Sequence, residues 1–549
     1  MAELQTLNVN VGVLGHVDSG KTSLVAALST TLSTAALDKH PQSRERGITL
    51  DLGFSSFTCS ASQVNQSLSI FDKYQKVQFT LVDCPGHASL IRTVVGGAQI
   101  MDMGILVVDV TKGIQPQTAE CLVLAEITTS NLVVALNKID LIPPDKRNKY
   151  VRKAMKLIQQ TLAVTKFHNC PIVPVSAQYE RMLAENSVSD EPHEASSRQE
   201  MGGIEQLKLA LLDMVGVSTS QEMPGDGPFI FYVDHCFSVK GQGTVLTGTV
   251  ALGRAKVGDS VELASLKEVR KIKSMQVFRR PVLECKVGDR VGICVTQLDA
   301  KAVERGILCT PNSVPSFAAA IVSVRKVAYY AGDVRSGAKI HIITGHQTVM
   351  GKLTFMKKTD STTCEFDLNS DYEYQEQLDT EEGSEGQEAV AALVEFDEVV
   401  FAPKDALIIG AKLDVDLNVS TCRIAFSGKI VLPISSTMVQ QLHIYKKKYR
   451  EGIIERIEAD GKTAICRGMF GKDSDLTKFL GLVVNGPAGQ RGILQSTFGK
   501  SGKFKAFFPS GISVLVTDSH GPPDNSTSKV TLEYKRYLHS GKSGGKLNQ

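Results

Sequence analysis

Gly15-His16-Val17-Asp18-Ser19-Gly20-Lys21-Thr22 stands between an apolar run at residues 7–14 and a segment of helical character that begins at Lys21. The octapeptide satisfies G-x-x-x-x-G-K-[ST], and a strand–loop–helix context is what turns that spacing into a phosphate cradle. Backbone N–H groups of such a loop, backed by the helix N-terminus, wrap a phosphate. Lys21 then reaches the outer phosphates, and Thr22 offers its hydroxyl oxygen to Mg2+.

Outward from this loop, apolar runs recur at 77–82, 104–109, 132–136 and 172–175, separated by longer, more polar stretches, several with a helical period. Alternating strands and helices imply an α/β P-loop domain on a mainly parallel sheet covered on both faces. The pattern ends near Val217. Three of the strand ends carry further signals. In Asp83-Cys84-Pro85-Gly86-His87, Asp83 suits a Mg2+ site, and Gly86 lets a backbone N–H approach the γ-phosphate unobstructed. In Asn137-Lys138-Ile139-Asp140, the Asp140 carboxylate can accept from guanine N1–H and N2–H2, a donor pair that adenine lacks. Ser176-Ala177-Gln178 offers a backbone N–H to guanine O6. These four elements, each at a strand end and in this order, identify a guanine-nucleotide-binding domain over 1–217, with GTP and Mg2+ as its cofactors.

Beyond it, 221–228 reads as a linker. Short β-rich runs between glycines follow at 229–233, 244–250, 260–263 and 291–295. They imply β-barrel domains over 225–312 and 313–428. Residues 371–388 hold eight acidic and no basic residues and are expected to form an exposed, mobile insertion; 186–200 is a second expected loop. From residue 429 to 549 there are nineteen Lys or Arg against nine Asp or Glu, a balance of +10, which leaves −7 on the first 428 residues of a +3 chain. A basic, β-rich fourth domain over 429–549 suits either a polyanion partner or a solvated surface. Its densest stretches are 446–450 and 500–508. There Phe504 and Phe507 suit base stacking or the core of a small barrel, and the core is the reading adopted. A short strand is expected at 512–516 and a disordered tail at 541–546.

Composition removes whole classes. With 42% hydrophobic and 22% charged residues, the 549-residue chain is not wholly disordered, collagenous or a coiled coil. No run approaches the ~18 apolar residues that span a bilayer, and the N-terminus lacks the pattern of a secretory signal, so no membrane partner is expected. The eleven cysteines are scattered without zinc spacing, as expected of reduced thiols in a cytoplasmic or nuclear protein.

Taken together, 15–22, 83–87 and Arg44-Glu45-Arg46-Gly47-Ile48-Thr49-Leu50 resemble a translational GTPase of the elongation factor Tu class. The resemblance implies that Thr49 binds Mg2+ and senses the γ-phosphate, and that His87 orients the attacking water. It also implies that Val17 and Ile48 form an apolar gate restraining that histidine. Residues 241–250 resemble the glycine-rich strand of the barrel that receives the aminoacyl end of tRNA. Asp234-His235-Cys236-Phe237, 288–295, 43–53 and 88–93 are similar to one branch, the eukaryotic selenocysteine-specific elongation factors. That likeness implies a selenocysteine pocket lined by Asp234, His235 and Arg290. Arg290 and a protonated His235 would attract a selenolate, with Asp234 keeping His235 charged and oriented.

The function implied is GTP-dependent delivery of selenocysteinyl-tRNA to the ribosome at recoded UGA codons, by a monomer. The other implied partner is the mRNA selenocysteine-insertion hairpin with its binding protein. Two rival readings are weaker. A general elongation or initiation GTPase for another tRNA fits poorly with the extra C-terminal domain and the Asp234/His235/Arg290 set. A GTP-binding scaffold that merely tethers RNA fits poorly with an intact Lys21, Thr49, Asp83 and His87.

Overall fold

The computed structural model describes residues 6–32, 52–60, 74–86, 91–98, 100–179, 203–218, 227–239, 241, 243–300, 303, 305–359, 366–379, 390–415, 422–472, 474–499, 502–512, 528–539 and 549. Thr49, Ile48 and His87 lie outside them, as do the expected loop at 186–200, most of the expected linker, residues 513–516 and the tail at 541–546. The chain divides into two compact units. The first is Met1–Leu353, Leu378–Gly383 and Val394–Pro433; the second is Thr354–Gln377, Ser384–Leu393 and Ile434–Gln549.

The first unit opens with a seven-stranded sheet of β1 (Thr6–Gly15), β2 (Thr31–Leu32), β3 (Gly53–Ser60), β4 (Lys76–Asp83), β5 (Met103–Asp109), β6 (Asn131–Asn137) and β7 (Ile172–Pro174). Their order is β2-β3-β4-β1-β5-β6-β7. Pairing is parallel from β4 through β7 and antiparallel for β2–β3–β4, so the sheet is mainly parallel with an antiparallel edge. The central strands are buried along nearly their whole length, which is why they read as continuous apolar runs rather than alternating ones. The α-helices among the described residues of this domain are α1 (Lys21–Leu28), α2 (Ile91–Ala98), α3 (Pro116–Thr128), α4 (Pro144–Leu162) and α5 (Ile204–Ser218). Proline at the first turn of α3 and α4 loses no helical hydrogen bond, because that N–H has no partner within the helix. The core packs Leu24, Val25 and Leu28 of α1 and Leu207, Leu211 and Val215 of α5 onto Val11, Val13, Phe79 and Ile105.

Two barrels follow. The first contains β8 (Ile230–Val239), β9 (Gly243–Leu252), β10 (Arg254–Lys256), β11 (Ser260–Leu263), β12 (Glu268–Val277), β13 (Arg280–Val282), β14 (Glu284–Lys286), β15 (Arg290–Val295) and β16 (Gly306–Cys309). Its order, β11-β16-β8-β9-β15-β12-β13, is closed by a β11–β12 pairing, leaving no open edge between those strands. Phe231, Val233, Leu246, Val291 and Ile293 fill its interior. Next come β17 (Ser316–Lys326), β18 (Lys339–Thr344), β19 (Gln347–Lys358), β20 (Tyr372–Gln375), β21 (Val390–Phe401), β22 (Leu407–Ala411) and β23 (Ile424–Ile434). Of these, β18-β22-β23-β17-β21-β19 close on themselves through β18–β19.

The second unit adds α6 (Ser436–Gln441), β24 (Ile444–Ile457), β25 (Thr463–Arg467), β26 (Val483–Asn485), β27 (Arg491–Phe498), β28 (Lys503–Phe507) and β29 (Lys529–Tyr537). Phe504, Phe470, Phe479 and Phe508 pack in its core with Leu532 and Tyr534, so Phe504 is a core residue rather than a stacking platform.

The acidic segment departs from expectation. Residues 372–375 form β20, which pairs with the end of β19 and, in parallel, with the start of β24. The physical reason is compensation. Tyr372 is buried, Glu373 is paired with Lys447 at 2.6 Å, and Asp371 takes Lys535 at 2.7 Å and the Tyr537 hydroxyl at 3.0 Å. At the start of this run, Asp371 and Glu373 are therefore each paired with a lysine in space. Thr354–Gln377 belongs to the second unit. Residues 380–388 fall outside the described residues.

Candidate functional site

The phosphate loop is built by β1 breaking at Gly15 and α1 starting at Lys21. Gly20, at the helix N-cap, has φ 90°, a left-handed conformation that glycine adopts without strain. Lys21 folds back so that its ammonium donates to the His16 carbonyl at 2.7 Å. Burial pulls the Lys21 pKa below the ordinary lysine value, with Asp83 acting in the opposite sense. Thr22 donates its hydroxyl to an Asp83 oxygen at 2.7 Å. The two side chains expected to share a cation are thus already adjacent, although they come from the two ends of a 61-residue interval. Gly86 closes the other side: a Cβ there would collide with the Lys21 ammonium and crowd the backbone of Val17.

The base-reading end is held by one side chain. The Asn137 amide donates to the Ser19 carbonyl at 3.0 Å, and its oxygen accepts from the Ala177 N–H at 3.2 Å. It therefore ties the phosphate loop to the loop after β7. Ser176 donates to an Asp140 carboxylate oxygen at 2.5 Å, fixing the group that would read guanine. Lys138, with φ 65°, pairs with Asp109 at 2.9 Å. Among the described residues, the buried Ser19 hydroxyl has no protein partner. That hydroxyl, the buried ammonium and the cradle at Gly86 fit a bound phosphate chain. The adjacent Thr22 and Asp83 oxygens fit a hard cation that completes its shell with phosphate and water. Asp18 is exposed at the loop tip.

The second cluster lies in the same unit. Asp234, on β8, forms a buried ion pair with Arg290, the first residue of β15. Arg290 also reaches the Thr249 hydroxyl at 3.4 Å. Burial alone would push the Asp234 carboxyl up, but the Arg290 guanidinium and the His346 imidazole hold it far below the usual carboxylate range. The sequence reading gave Asp234 the task of orienting His235; the structure sets a different histidine against it. His346, in the turn between β18 and β19, has its Nε2 3.3 Å from an Asp234 oxygen, in ion-pairing range without the alignment of a hydrogen bond. His235 is only half-buried and sits beside a β-bulge of the β8–β9 pair. Two residues escaped the sequence reading altogether. One is His346. The other is Phe54 of β3, whose ring lies 3.3 Å from the Arg290 guanidinium carbon. Neither carries a local motif, and each acts through a partner at least a hundred residues away.

Known proteins agree with this geometry. The model of the elongation factor Tu GTP-binding domain matches residues 6–217. The third domain of eukaryotic selenocysteine-specific elongation factors matches 321–428, and the C-terminal RIFT domain of eEFSec matches 440–542. The selenocysteine-specific elongation factor of Mus musculus is 45% identical over 538 residues, covering 92% of this chain and 89% of its own length. That of Methanocaldococcus jannaschii is 30% identical over 511 residues, covering 90% and 95%. The crystal structure of the translation elongation factor SelB from Methanococcus maripaludis with the GTP analogue GppNHp has a TM-score of 0.69 at 24% identity, over 97% of this chain and 100% of that one. A bacterial selenocysteine-specific factor, EF-Sec, has a TM-score of 0.57 at 22% identity, over 78% and 59%. These two likenesses show the fold. Identity sustained over nine-tenths of the chain, together with the nucleotide site, shows more: the chain belongs to the family of selenocysteine-specific elongation factors and is a translational GTPase.

Proposed function

We propose that this GTPase binds selenocysteinyl-tRNA in its GTP form, carries it to a ribosome paused at UGA, and releases it when water hydrolyses the nucleotide. The observation that carries this reading is the arginine buried on the outer face of the first barrel, paired with Asp234 beside the Thr249 hydroxyl of the glycine-rich strand. A selenol ionises more readily than a thiol or an alcohol, so a buried cation favours selenocysteine over serine at neutral pH. Asp234 and Arg290 pair with each other, and His346 stands 3.3 Å from Asp234; a protonated His235 would add positive charge.

In the nucleotide site, Lys21 neutralises phosphate charge and Asp140 accepts from the guanine edge. Magnesium, held by Thr22, Asp83 and Thr49, would supply further charge neutralisation at the phosphates. His87 would position the attacking water, with Val17 and Ile48 restraining it until the ribosome engages. The basic stretch 429–549 would contact tRNA phosphates and communicate with the hairpin-binding protein. The chain would act as a monomer in the cytoplasm or nucleus. A pull-down of total aminoacylated tRNA with a GTP analogue, followed by sequencing of the bound species, tests the reading. Enrichment of the selenocysteine tRNA supports it, and recovery of bulk elongator or initiator tRNA overturns it.

A further inference from the structure

The Val17 N–H of the phosphate loop takes its acceptor from outside the loop. Within it, the His16 carbonyl accepts twice, from the Ser19 N–H at 3.3 Å and from the Lys21 ammonium at 2.7 Å. Val17 donates instead to the side-chain oxygen of Gln117 at 3.4 Å, a hundred positions along the chain. The next residue, Asp18, has φ 58°, a left-handed conformation that costs a non-glycine residue free energy. The backbone at 17–18 is therefore strained on one side and held from without on the other.

Gln117 sits on a fixed support. It is the second residue of α3, where side chains tilt toward the helix N-terminus. Its turn is tied at the start by the Gln115 N–H, which donates to the Thr118 hydroxyl at 3.3 Å. Three residues on, along the same face, Glu120 is clamped by Arg423 at 2.8 Å. Val17 in turn abuts the segment that follows β4. A Cβ on Gly86 would come within 3.0 Å of the Val17 nitrogen, so the atom that Gln117 binds packs against the residue before His87. Removing the Gln117 oxygen leaves a half-buried N–H without its acceptor and frees the loop to relax about Asp18. Val17 then moves relative to the backbone that leads into His87.

We propose that Gln117 is a positioning residue for GTP hydrolysis. Its side-chain oxygen pins the Val17 backbone against Gly86, and so keeps the Val17 side of the apolar gate closed until the ribosome engages. Gln117 acts through Val17 and not on the nucleotide. The proposal rests on the reading of Val17 as a gate residue.

The test uses the full chain without ribosomes or tRNA. Single-turnover hydrolysis of GTP is measured for the unaltered protein, for Gln117→Leu, Gln117→Glu and Val17→Ala, and for the variant carrying both Val17→Ala and Gln117→Leu. Leucine fills the site without an acceptor, whereas glutamate keeps an acceptor at the same reach. Gln117→Leu should raise the rate at least about fivefold while GTP and GDP affinities stay within about twofold. Gln117→Glu should stay within about twofold of the unaltered rate. In the Val17→Ala background, Gln117→Leu should add less than about twofold, because the side chain it positions is gone. A cooperative unfolding transition certifies that each variant is folded, and Gln117→Met replaces the leucine variant if that one is not. A rise that the glutamate variant shares, or that persists in full beside Val17→Ala, overturns the proposal. Val17→Ala alone separates the two readings. If it raises the rate and Gln117→Leu does not, the proposal fails and the gate stands. If it leaves the rate unchanged, the gate reading fails and the proposal with it.

Discussion

Arg423 and Glu120 stand 303 positions apart in the chain and meet in a bidentate ion pair, with Nη2–Oε2 2.8 Å and Nε–Oε1 3.0 Å. The Arg423 backbone N–H adds a third bond to Oε1 at 2.9 Å. Both side chains are almost wholly excluded from water, so neither charge can be left alone cheaply. Glu120 lies on α3 of the nucleotide-binding domain, and Arg423 directly precedes β23 of the second barrel. The pair fixes one domain to the other within the first unit.

Removing one partner is therefore expected to be costly. Glu120→Ala should lose about 3–5 kcal/mol of unfolding free energy, with Arg423→Ala similar. The double variant should lose less than the sum of the two, because no orphaned charge remains. Denaturant titration of the four proteins measures this, and additive losses would show that the pair does not couple.

Asn137 is expected to act on nucleotide affinity through geometry, since it donates to Ser19 and accepts from Ala177. Asn137→Ala should weaken GTP and GDP equally, by about 1–3 kcal/mol, or roughly fivefold to 150-fold. Asp140→Asn should do more to specificity, because an amide cannot accept from both guanine donors. Guanine nucleotides should bind at least about tenfold more weakly, with a gain for xanthine nucleotides, whose second carbonyl suits the amide donor. Equilibrium titration with fluorescent nucleotides measures both.

Asp102 should give the folded state a pH signature. Burial pushes its carboxyl from 3.8 up to about 6, against the Asn10 N–H groups that favour the ionised form. A carboxyl whose pKa is higher folded than unfolded binds its proton more tightly in the folded state. Stability is then lost as pH rises through the interval from 3.8 to about 6 and stays lower above it. Asp102→Asn keeps an acceptor for the Asn10 backbone N–H at 2.7 Å and removes the charge. It should flatten that part of the stability profile and add on the order of 1 kcal/mol at neutral pH. Thermal melts across pH 4 to 8 would show an unchanged slope if the carboxyl titrated normally.

Asp371 anchors the strand that sequence reading treated as a loose insertion. Asp371→Asn should cost about 1–2 kcal/mol in the second unit, because it weakens the bonds from Lys535 and Tyr537. Burial of Tyr372 should drop with it, detectable as faster amide exchange across 372–375. Unchanged exchange would mean that the parallel pairing with β24 holds the strand alone.

What could be read in advance follows from distance along the chain. The nucleotide site was legible because each of its parts is a short motif at a strand end: Lys21 and Thr22 after β1, Asp83 closing β4, Asp140 after β6. The buried Asp234–Arg290 cluster was legible only by halves. Asp234 and Arg290 sit in recognisable strands, but His346 reaches them from a turn in another barrel, and Phe54 from another domain. The start of the acidic run misled because charge counted along the sequence ignores Lys447 and Lys535, which pair with Glu373 and Asp371.

The account turns on whether a buried cation chooses the cargo. The direct measurement is an equilibrium competition between selenocysteinyl-tRNA and seryl-tRNA on one tRNA body, with a GTP analogue at neutral pH. The unaltered protein should prefer the selenium cargo by about a hundredfold, and the variant carrying both Arg290→Ala and His235→Ala should fall to within about threefold of parity. A doubly altered protein that still excluded the serine-charged tRNA as strongly as before would contradict the account.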